Sequence, residues 1–495
     1  MARKIDECLK TLGGNRLLAR GSGDAQYAAK QFETWMGRLW PSLLAALGMK
    51  DKLAELRKEL KQRKAASSFK AAAEYVSDEE ENEDKEPLAD LEDLGAQAKG
   101  FDGRGQDNNN NDDDDNDDDN GSSEAEEDEA SLDPNAEKKE LLTPALTAAL
   151  SKQGYQLIGT HSGVKLCRWT KAMLRGRGGC YKHTFYNITS YQCMEMTPSL
   201  ACANKCVFCW RHGKNPVAKE WKWQMDQPEF LIEQSILKHQ NMIRECKGVP
   251  GVVPERYNEA FTVRHCALSL VGEPIIYPQI NRFVDLLHEK RISSFMVTNA
   301  QFPRELEQLK PVCQLYLSID AATPETLKQI DRPVHKDYWE RFLESIDILR
   351  KKQQRTVFRL TLVKEWNMQE MQDYAKLIER GMPEFIEVKG VTYCGNNKTS
   401  SLTIKNTPYH EEVCAFVQKL ADAANAIVGA GTYTLCAAHE HSVCFLLAHK
   451  KFFIDNEWHT FIDYEKFLEL AQSGKPFTSL DYVAKTPAGL CLAAR

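Results

Sequence analysis

The sequence predicts an α/β fold built on a parallel sheet, in the form of a full or partial β/α barrel. From residue 141 onward, short apolar segments alternate with segments whose apolar residues have helical spacing. Such alternation is typical of parallel strands joined by right-handed helical crossovers. Each predicted strand also ends in a polar or glycine-containing loop. In parallel barrels these carboxyl-terminal ends carry the active site, so we expect chemistry at that rim.

The elements of this barrel can be assigned in order along the chain. The predicted strands are Cys266–Val271, Ser293–Thr298, Gln314–Asp320, Thr356–Val363 and Phe385–Val391. The predicted helices are Gln279–Lys290, Glu325–Ile330, Tyr338–Lys352 and Glu370–Arg380. In the first and third of these helices the apolar residues recur three or four positions apart, as expected for a face that packs on a sheet.

The first 140 residues have a different composition. From residue 74 to residue 140 the chain carries 28 acidic and 5 basic residues, a net charge of −23, and the remainder carries +16. Such a segment cannot bury enough apolar surface to fold, so we predict a disordered acidic linker over 61–140. It serves either as a solvated tether or as an acidic competitor for a nucleic-acid site. The basic remainder suits a polyanionic partner such as RNA.

Targeting and redox context are also constrained by the sequence. No apolar run approaches the length of a membrane helix, and the first ten residues lack the apolar centre of a secretion signal. We therefore expect a cytoplasmic protein with no membrane partner. In that setting 15 cysteines favour metal or redox chemistry over a disulfide scaffold.

The strongest motif is a cluster of three cysteines, Cys202, Cys206 and Cys209, with CxxxCxxC spacing. It lies just before the predicted barrel strands begin. Three thiolates on a short loop can bind three irons of a [4Fe–4S] cluster and leave the fourth iron open for another ligand. Structural zinc takes four protein ligands, usually in CxxC pairs, and this motif supplies three. A zinc knuckle remains the alternative at this point.

This motif ahead of a parallel barrel resembles the radical S-adenosylmethionine (SAM) superfamily. The resemblance implies a partial (β/α)6 barrel in which the open iron binds the amino and carboxylate groups of SAM. Phe208 matches the position beside the adenine, and the tripeptide 272–274 matches the motif that holds the methionine amine. The residues implied in binding SAM are Phe208, Gly272, Glu273, Pro274, Asn299, Ser318 and Asp320. The last three end predicted strands and could equally be strand-end caps.

A second group of cysteines, Cys167, Cys180 and Cys193, precedes the first. Isolated cysteines at such intervals are commonly core residues. The surrounding segment is rich in Arg, Lys, Gly and His, which is not a core composition. Because electropositive surroundings favour thiolates, we expect these cysteines to bind iron.

The resemblance becomes narrower over longer segments. LCRWTKAMLRGRGGCYKHTFY, MTPSLACANKCVFCWRHGKNP, HCALSLVGEPIIYPQINRF and FIEVKGVTYCG resemble the tRNA 4-demethylwyosine synthase family, and the similarity extends over about residues 141–465. It implies a carbon–carbon lyase that joins N1-methylguanosine-37 of the tRNA-Phe anticodon loop to two carbons of pyruvate. It also implies a second [4Fe–4S] cluster at Cys167, Cys180 and Cys193, and a Schiff base between Lys182 and pyruvate. On composition alone, Lys182 would be read as a phosphate contact within a basic cluster.

The resemblance also suggests a domain layout. Residues 1–60 resemble the end of a flavodoxin-like domain, 141–395 form the barrel with its second-cluster segment, and 396–495 form an extension expected to contact tRNA. The phosphate loop of a flavodoxin-like domain is absent from the sequence, so we assign no FMN site. Electrons would come from a flavodoxin-like domain or a separate reductase. The alternative functions are an RNA methyl- or methylthiotransferase and a non-catalytic iron–sulfur protein that binds RNA.

Overall fold

The structure, a computed structural model, describes residues 138–209, 216–394 and 400–490. The predicted flavodoxin-like remnant (1–60) and all but the last residues of the predicted linker (61–140) lie outside the described residues. Among the described helices, none has the length and hydropathy needed to cross a membrane.

A ten-stranded sheet forms the centre of the described part. Its strands are β1 Gln156–Ile158, β2 Ser162–Lys165, β3 Cys193–Thr197, β4 His265–Leu268, β5 Ser293–Thr298, β6 Gln314–Ser318, β7 Arg355–Leu362, β8 Phe385–Gly390, β9 Tyr433–His439 and β10 Cys444–His449. The order in the sheet is β1-β2-β3-β4-β5-β6-β7-β8-β10-β9. Strands β3 to β8 are parallel neighbours, and antiparallel strands cover both ends. Six sequential parallel strands confirm the predicted partial (β/α)6 barrel.

Helices connect these strands and cover the sheet. They are α1 Pro144–Lys152, α2 Arg168–Leu174, α3 Tyr181–Tyr186, α4 Pro228–Arg244, α5 Pro254–Glu259, α6 Ile280–Glu289, α7 Pro303–Gln308, α8 Pro324–Ile330, α9 Tyr338–Arg350, α10 Met371–Gly381, α11 His410–Val428 and α12 Tyr464–Ser473. Two-residue strands pair near the carboxyl terminus: β11 Phe453–Ile454 and β12 Glu457–Trp458 form a hairpin, and β13 Phe461–Ile462 pairs antiparallel with β14 Val483–Ala484 across helix α12. Local sequence sets the helix starts: Thr323 caps α8 by accepting from the Thr326 amide, and proline follows the cap.

The five predicted strands and four predicted helices are present, with ends that differ by no more than three residues. The expectation that the CxxxCxxC motif precedes the barrel strands is wrong, because β3 comes before it and is the first parallel strand. This strand has only five residues and carries Glu195 at its centre, which interrupts the apolar run. The sheet also continues beyond residue 395, where we placed the end of the barrel, since β9 and β10 extend it from β8.

The amino-terminal end of the barrel is closed by a buried arginine. Arg355, at the start of β7, is fully buried and donates to the carbonyl oxygens of Thr460 (2.6 Å) and Phe461 (3.3 Å). Its guanidinium also lies 4.5 Å from the ring centroid of Phe385. These contacts fasten the carboxyl-terminal segment under the barrel, so the opposite rim is the open end.

A buried histidine makes stability depend on pH. His239 of α4 is fully buried, neither ring nitrogen has a hydrogen-bond partner among the described residues, and burial lowers its pKa to about 4. In the unfolded chain its pKa is about 6.5. Between these values the unfolded chain binds a proton that the native chain does not, so stability falls as the pH drops from 7 toward 4.

We expect His239→Leu to remove this acid sensitivity. The difference in unfolding free energy between the variant and the wild type should be about 2 kcal/mol more favourable to the variant at pH 5 than at pH 7.5. The reason is that the unfolded variant has no histidine at this position to bind a proton. Urea unfolding of the two proteins at both pH values measures the difference. An equal effect of the substitution at pH 5 and pH 7.5 would contradict the assignment.

Candidate active site

A cavity of about 360 Å³ opens at the carboxyl-terminal ends of the parallel strands. All fourteen residues singled out from the sequence line it: Cys167, Cys180, Lys182, Cys193, Cys202, Cys206, Phe208, Cys209, Gly272, Glu273, Pro274, Asn299, Ser318 and Asp320. Residues as far apart in sequence as Cys167 and Asp320 therefore line one cavity. The geometry brings these residues together, while their individual roles stay predictions.

The loop 202–209, which carries the first three cysteines, is held by backbone pairing on two sides. The Cys202 amide donates to the Pro216 carbonyl oxygen (3.1 Å), and the Val207 amide donates to the Ile330 carbonyl oxygen (2.8 Å). These bonds fix a loop that has no helix or strand of its own. The three thiols are therefore presented to the cavity by a rigid backbone.

The Cys202 sulfur has hydrogen-bond donors on two sides. The Asn204 amide nitrogen and Asn299 Nδ2 each lie 3.4 Å from Cys202 Sγ. Burial, and then the nearby Glu273, raises the pKa of Cys202 to about 12, while the two donors act in the opposite direction. Donors aimed at a sulfur stabilise the thiolate form that iron requires.

The second cysteine group lies across the cavity. Cys167 and Cys180 immediately precede α2 and α3, and Cys193 begins β3. Ser190 Oγ donates to Cys180 Sγ at 3.4 Å. Burial raises the pKa of both Cys180 and Cys193, and this outweighs the opposing effect of Lys182. Burial thus opposes the thiolate form that the basic composition favours, and the binding of iron by these cysteines stays a prediction.

Among the described residues, no three His, Cys, Asp or Glu side chains converge on a point where one metal ion could bind. A [4Fe–4S] cluster makes a different demand, since each thiolate binds a different iron. Each group of three cysteines lines the cavity, which is compatible with such a cluster.

Lys182 is enclosed within the barrel. Lys182 is only 7% exposed, and its Nζ lies 5.9 Å from the ring centroids of both Tyr181 and Tyr316. A lysine this deeply buried is poorly placed to contact an RNA backbone, but it lines the cavity where a small molecule could reach it. The enclosing rings limit the access of water to its amine.

Glu273 offers a free carboxylate oxygen. The Glu273 amide donates to the Ala201 carbonyl oxygen (2.7 Å), and the Asn299 amide donates to Glu273 Oε2 (2.8 Å). Glu273 Oε1 is buried and has no hydrogen-bond partner among the described residues. Burial raises the pKa of Glu273 to about 8. A buried carboxylate oxygen without a partner fits an ammonium group, and SAM carries one on its methionine portion.

The strand-end residues both cap the fold and face the cavity. Asn299 Oδ1 accepts from the Gln301 amide (3.1 Å), and Asp320 Oδ1 accepts from the Thr361 amide (3.0 Å). Burial raises the pKa of Asp320 to about 6. Asn299, Asp320 and Ser318, which ends β6, also line the cavity. They can therefore cap the strands and still bind a ligand, as predicted.

Several cavity residues were missed from the sequence. They are Lys165, Glu195, Asn204, Asp331, Arg359, Thr361, Lys389 and Ser442. A period-two pattern in strand β7 could have identified two of them, since Arg359 and Thr361 alternate with apolar residues. Asn204 and Asp331 each carry a buried oxygen without a hydrogen-bond partner among the described residues, and only the packed structure reveals that.

Two known sequence families match this chain. The family described as the radical SAM superfamily matches residues 196–378. The family described as wyosine base formation matches residues 380–449, which include β8, β9 and β10. The two matches together cover the parallel strands from β4 to β8 and the antiparallel end of the sheet.

Curated relatives named S-adenosyl-L-methionine-dependent tRNA 4-demethylwyosine synthase match most of the described residues. The Xenopus laevis protein is 62% identical over 357 residues, which is 71% of this chain and 48% of that protein. The Arabidopsis thaliana protein is 58% identical over 351 residues, covering 71% of this chain and 54% of that protein. The chain thus spans about half the length of the curated relatives it matches.

Solved structures match over almost their whole length. A structure described as TYW1 with a lysine–pyruvate adduct bound is 30% identical, with a TM-score of 0.55, and covers 63% of this chain and 97% of that one. An archaeal TYW1 crystal structure gives 29% identity and a TM-score of 0.51 with the same coverage. Together with the family matches and the single cavity that both cysteine groups share, these similarities place the chain in the tRNA 4-demethylwyosine synthase family of the radical SAM superfamily.

Proposed function

We propose that this chain is a radical SAM lyase of wybutosine biosynthesis. It condenses N1-methylguanosine-37 of tRNA-Phe with two carbons of pyruvate to form the tricyclic base 4-demethylwyosine. The observation that carries the proposal is that an enclosed lysine, Lys182, and a free carboxylate oxygen, on Glu273, line one cavity with two groups of three cysteines. A related solved protein is described with a lysine–pyruvate adduct, and we propose Lys182 as the corresponding lysine here.

The cavity lining supports an assignment of the residues that would hold the cofactors. Cys202, Cys206 and Cys209 would hold the cluster that binds SAM, and Cys167, Cys180 and Cys193 would hold a second [4Fe–4S] cluster. Glu273 Oε1 would accept from the SAM amine. When bound, the first cluster and SAM supply a carbon radical strong enough to break a methyl C–H bond. An electron donor, a flavodoxin-like domain or a separate reductase, completes the requirements.

Lys182 performs the covalent step on pyruvate. Its amine attacks the ketone carbon, the carbon–nitrogen bond forms, and the ketone oxygen leaves as water. The rings of Tyr181 and Tyr316 flank the amine and limit the return of water, which would hydrolyse the product. The lysine thus holds pyruvate with its methyl and ketone carbons in reach of the methyl carbon of the substrate base. The bond between the ketone carbon and the carboxyl carbon breaks after these two carbons have been added, and the carboxyl carbon is lost.

The tRNA would approach the open rim. Trp169 lines the cavity, Arg168 lies 4.9 Å from its ring centroid, and His439 stacks edge-on to it at 5.2 Å. Aromatic and cationic groups at a cavity mouth suit an unstacked base of an anticodon loop. His439 belongs to the predicted extension, which supports our proposal that this segment contributes to tRNA contact. The cytosolic location remains a prediction from the sequence.

Replacing Lys182 with alanine tests the function. We expect turnover of N1-methylguanosine-37 tRNA with pyruvate, SAM and dithionite to fall by about 10⁴-fold or more, as when the nucleophile of a covalent catalyst is removed. Cleavage of SAM to 5′-deoxyadenosine should persist, because Lys182 acts on pyruvate. Mass spectrometry of digested tRNA and chromatography of 5′-deoxyadenosine measure the two outcomes.

A matched control is Lys171→Ala on α2, which removes a lysine that does not line the cavity. Its turnover should stay within about twofold of the wild type, a difference well below 1 kcal/mol. Near-normal product formation by the Lys182 variant would refute the proposed covalent role.

A further inference from the structure

One cation inside the barrel has no role in the account given so far. Arg359 lies on β7, where Arg359 and Thr361 line the cavity while Leu360 and Leu362 are buried. Alternate residues of a strand point to opposite faces of a sheet. The guanidinium therefore belongs to the inner wall of the barrel.

The next feature is the set of contacts that Arg359 makes within the described part of the chain. Among the described residues its side chain makes no hydrogen bond and no ion pair. Arg355, four residues earlier on the same strand, donates to Gln314 Oε1 and to two backbone carbonyl oxygens. A cation held in the interior without a hydrogen-bonded anion raises the free energy of the folded chain. An anionic ligand that binds to the guanidinium would lower it.

The surroundings of Arg359 keep it charged. Tyr181, and then Glu387 and Asp320, raise the pKa of Arg359 against the opposing effect of burial. Burial raises the pKa of Glu387, whose Oε1 accepts from Tyr186 and whose Oε2 has no partner among the described residues. Neither carboxylate forms an ion pair with the guanidinium, whose five donors remain available for a planar anion.

The proposed reaction brings two carboxylates into this cavity, those of SAM and pyruvate. The SAM carboxylate shares a carbon with its amine, which Glu273 would hold at the end of β4. Strands β5 and β6 lie between β4 and β7, so Glu273 and Arg359 belong to separate strands of the barrel wall and are not neighbours in the sheet.

Pyruvate matches the position of Arg359 better. Lys182 Nζ lies 5.9 Å from the Tyr181 ring centroid, and Tyr181, Lys182 and Arg359 all line the cavity. Glu387 likewise interacts with both Lys182 and Arg359. A 2-oxo acid joins its ketone carbon directly to its carboxylate. A lysine that takes the ketone and an arginine that takes the carboxylate must therefore share neighbours.

We propose that Arg359 binds the carboxylate of the 2-oxo acid substrate and so aligns its ketone with Lys182. This assignment rests on the proposed function. The guanidinium grips both carboxylate oxygens and takes part in no bond change. The new C–N bond forms at Lys182, and the ketone oxygen leaves as water. Arg359 then determines specificity, since an ester or a simple ketone offers no anion to bind.

Trapping experiments on the full-length chain test the assignment. The anaerobically reconstituted protein is mixed with pyruvate or methyl pyruvate and cyanoborohydride, and the reduced adduct at Lys182 is quantified by peptide mass spectrometry. We expect the wild type to need about 10- to 100-fold less pyruvate than methyl pyruvate for half-maximal labelling, as a charge-assisted hydrogen-bonded pair provides. In Arg359→Gln this preference should fall to near unity, and Arg359→Lys should restore part of it.

Two controls separate the assignment from its alternatives. Lys389→Gln removes another cation that lines the cavity, and its preference for pyruvate should match the wild type. Formation of 5′-deoxyadenosine should be unchanged in Arg359→Gln, because SAM does not use this arginine.

Three results would overturn the assignment. A wild-type preference for pyruvate in Arg359→Gln would place the substrate carboxylate elsewhere, such as at the second cluster. Weakened SAM cleavage with an unchanged preference for pyruvate would assign Arg359 to SAM instead. Absence of any adduct at Lys182 in the wild type would refute the proposed function together with this assignment. That result is distinguishable from a failure of this assignment alone, in which the wild type still forms the adduct.

Discussion

Removing the second cysteine group should halve the iron content of the reconstituted chain. Wild type is expected to hold about eight irons, and the Cys167→Ala/Cys180→Ala/Cys193→Ala variant about four, because each [4Fe–4S] cluster needs its own three thiolates. All three cysteines line the cavity, and the elements that carry them are anchored separately from the loop 202–209. The first cluster should therefore survive. Iron and sulfide analysis after anaerobic reconstitution measures the change.

Cysteines that do not line the cavity provide the control. Cys246 and Cys414 are partly buried and lie outside the cavity lining, so the Cys246→Ala/Cys414→Ala variant should retain about eight irons. About four irons in both the wild type and the triple variant would contradict the second cluster. The chain would then be a radical SAM protein with one cluster, and the pyruvate chemistry proposed for Lys182 would have to proceed without a second iron site.

The barrel strands could be predicted because each one has a recognisable pattern in its own short stretch of sequence. Strands such as Ser293–Thr298 are continuous apolar segments bounded by polar or glycine-containing loops, and a parallel strand buried on both faces has that pattern. The site residues at the strand ends followed from the topology, since parallel strands place their carboxyl ends at one rim. For this reason Asn299 and Asp320 could be expected at the same cavity, while Cys167 was assigned to the site by local composition and by the family resemblance.

Features that depend on packing could not be predicted in this way. Strand β3 was missed because Glu195 faces the cavity and interrupts a short apolar segment. The basic composition around Cys180 suggested a thiolate, yet burial raises its pKa. Composition reports which charges are near in sequence, while desolvation depends on the neighbours that the fold supplies. In the same way, only the packed structure shows that Arg359 has no hydrogen-bond or ion-pair partner among the described residues.

Replacing Gly272 with alanine should disrupt the SAM site more than any other single methyl group added to the rim. Gly272 has φ +70°, and a Cβ there would lie 2.1 Å from the Ser199 carbonyl oxygen and 2.7 Å from the Leu200 carbonyl carbon. Both are backbone atoms, so no side-chain rotation relieves the contact. The two loops must separate, which breaks the bond from the Glu273 amide to the Ala201 carbonyl oxygen.

The expected cost has two parts, and Gly431 separates them. Gly431 has φ +69° and no atom within 4 Å of an added Cβ, so Gly431→Ala carries only the strain of a left-handed backbone, about 1–2 kcal/mol. Gly272→Ala adds an overpacking term, for a total of about 2–5 kcal/mol of unfolding free energy. It should also weaken SAM binding by about tenfold or more, since Glu273 moves away from the amine.

Urea unfolding of the two glycine variants measures their stability, and equilibrium dialysis measures their affinity for SAM. The two measurements separate the effect of backbone strain from that of the steric overlap at Gly272. If Gly272→Ala and Gly431→Ala are equally destabilised and bind SAM alike, the close approach of the 272–274 loop to the segment before Cys202 does not position the ligand. If only Gly272→Ala loses SAM, the glycine is needed because the two loops must touch. Glu273 then keeps its place at the cavity because the backbone at Gly272 can approach Ser199 closely enough to preserve the bond from the Glu273 amide to the Ala201 carbonyl oxygen.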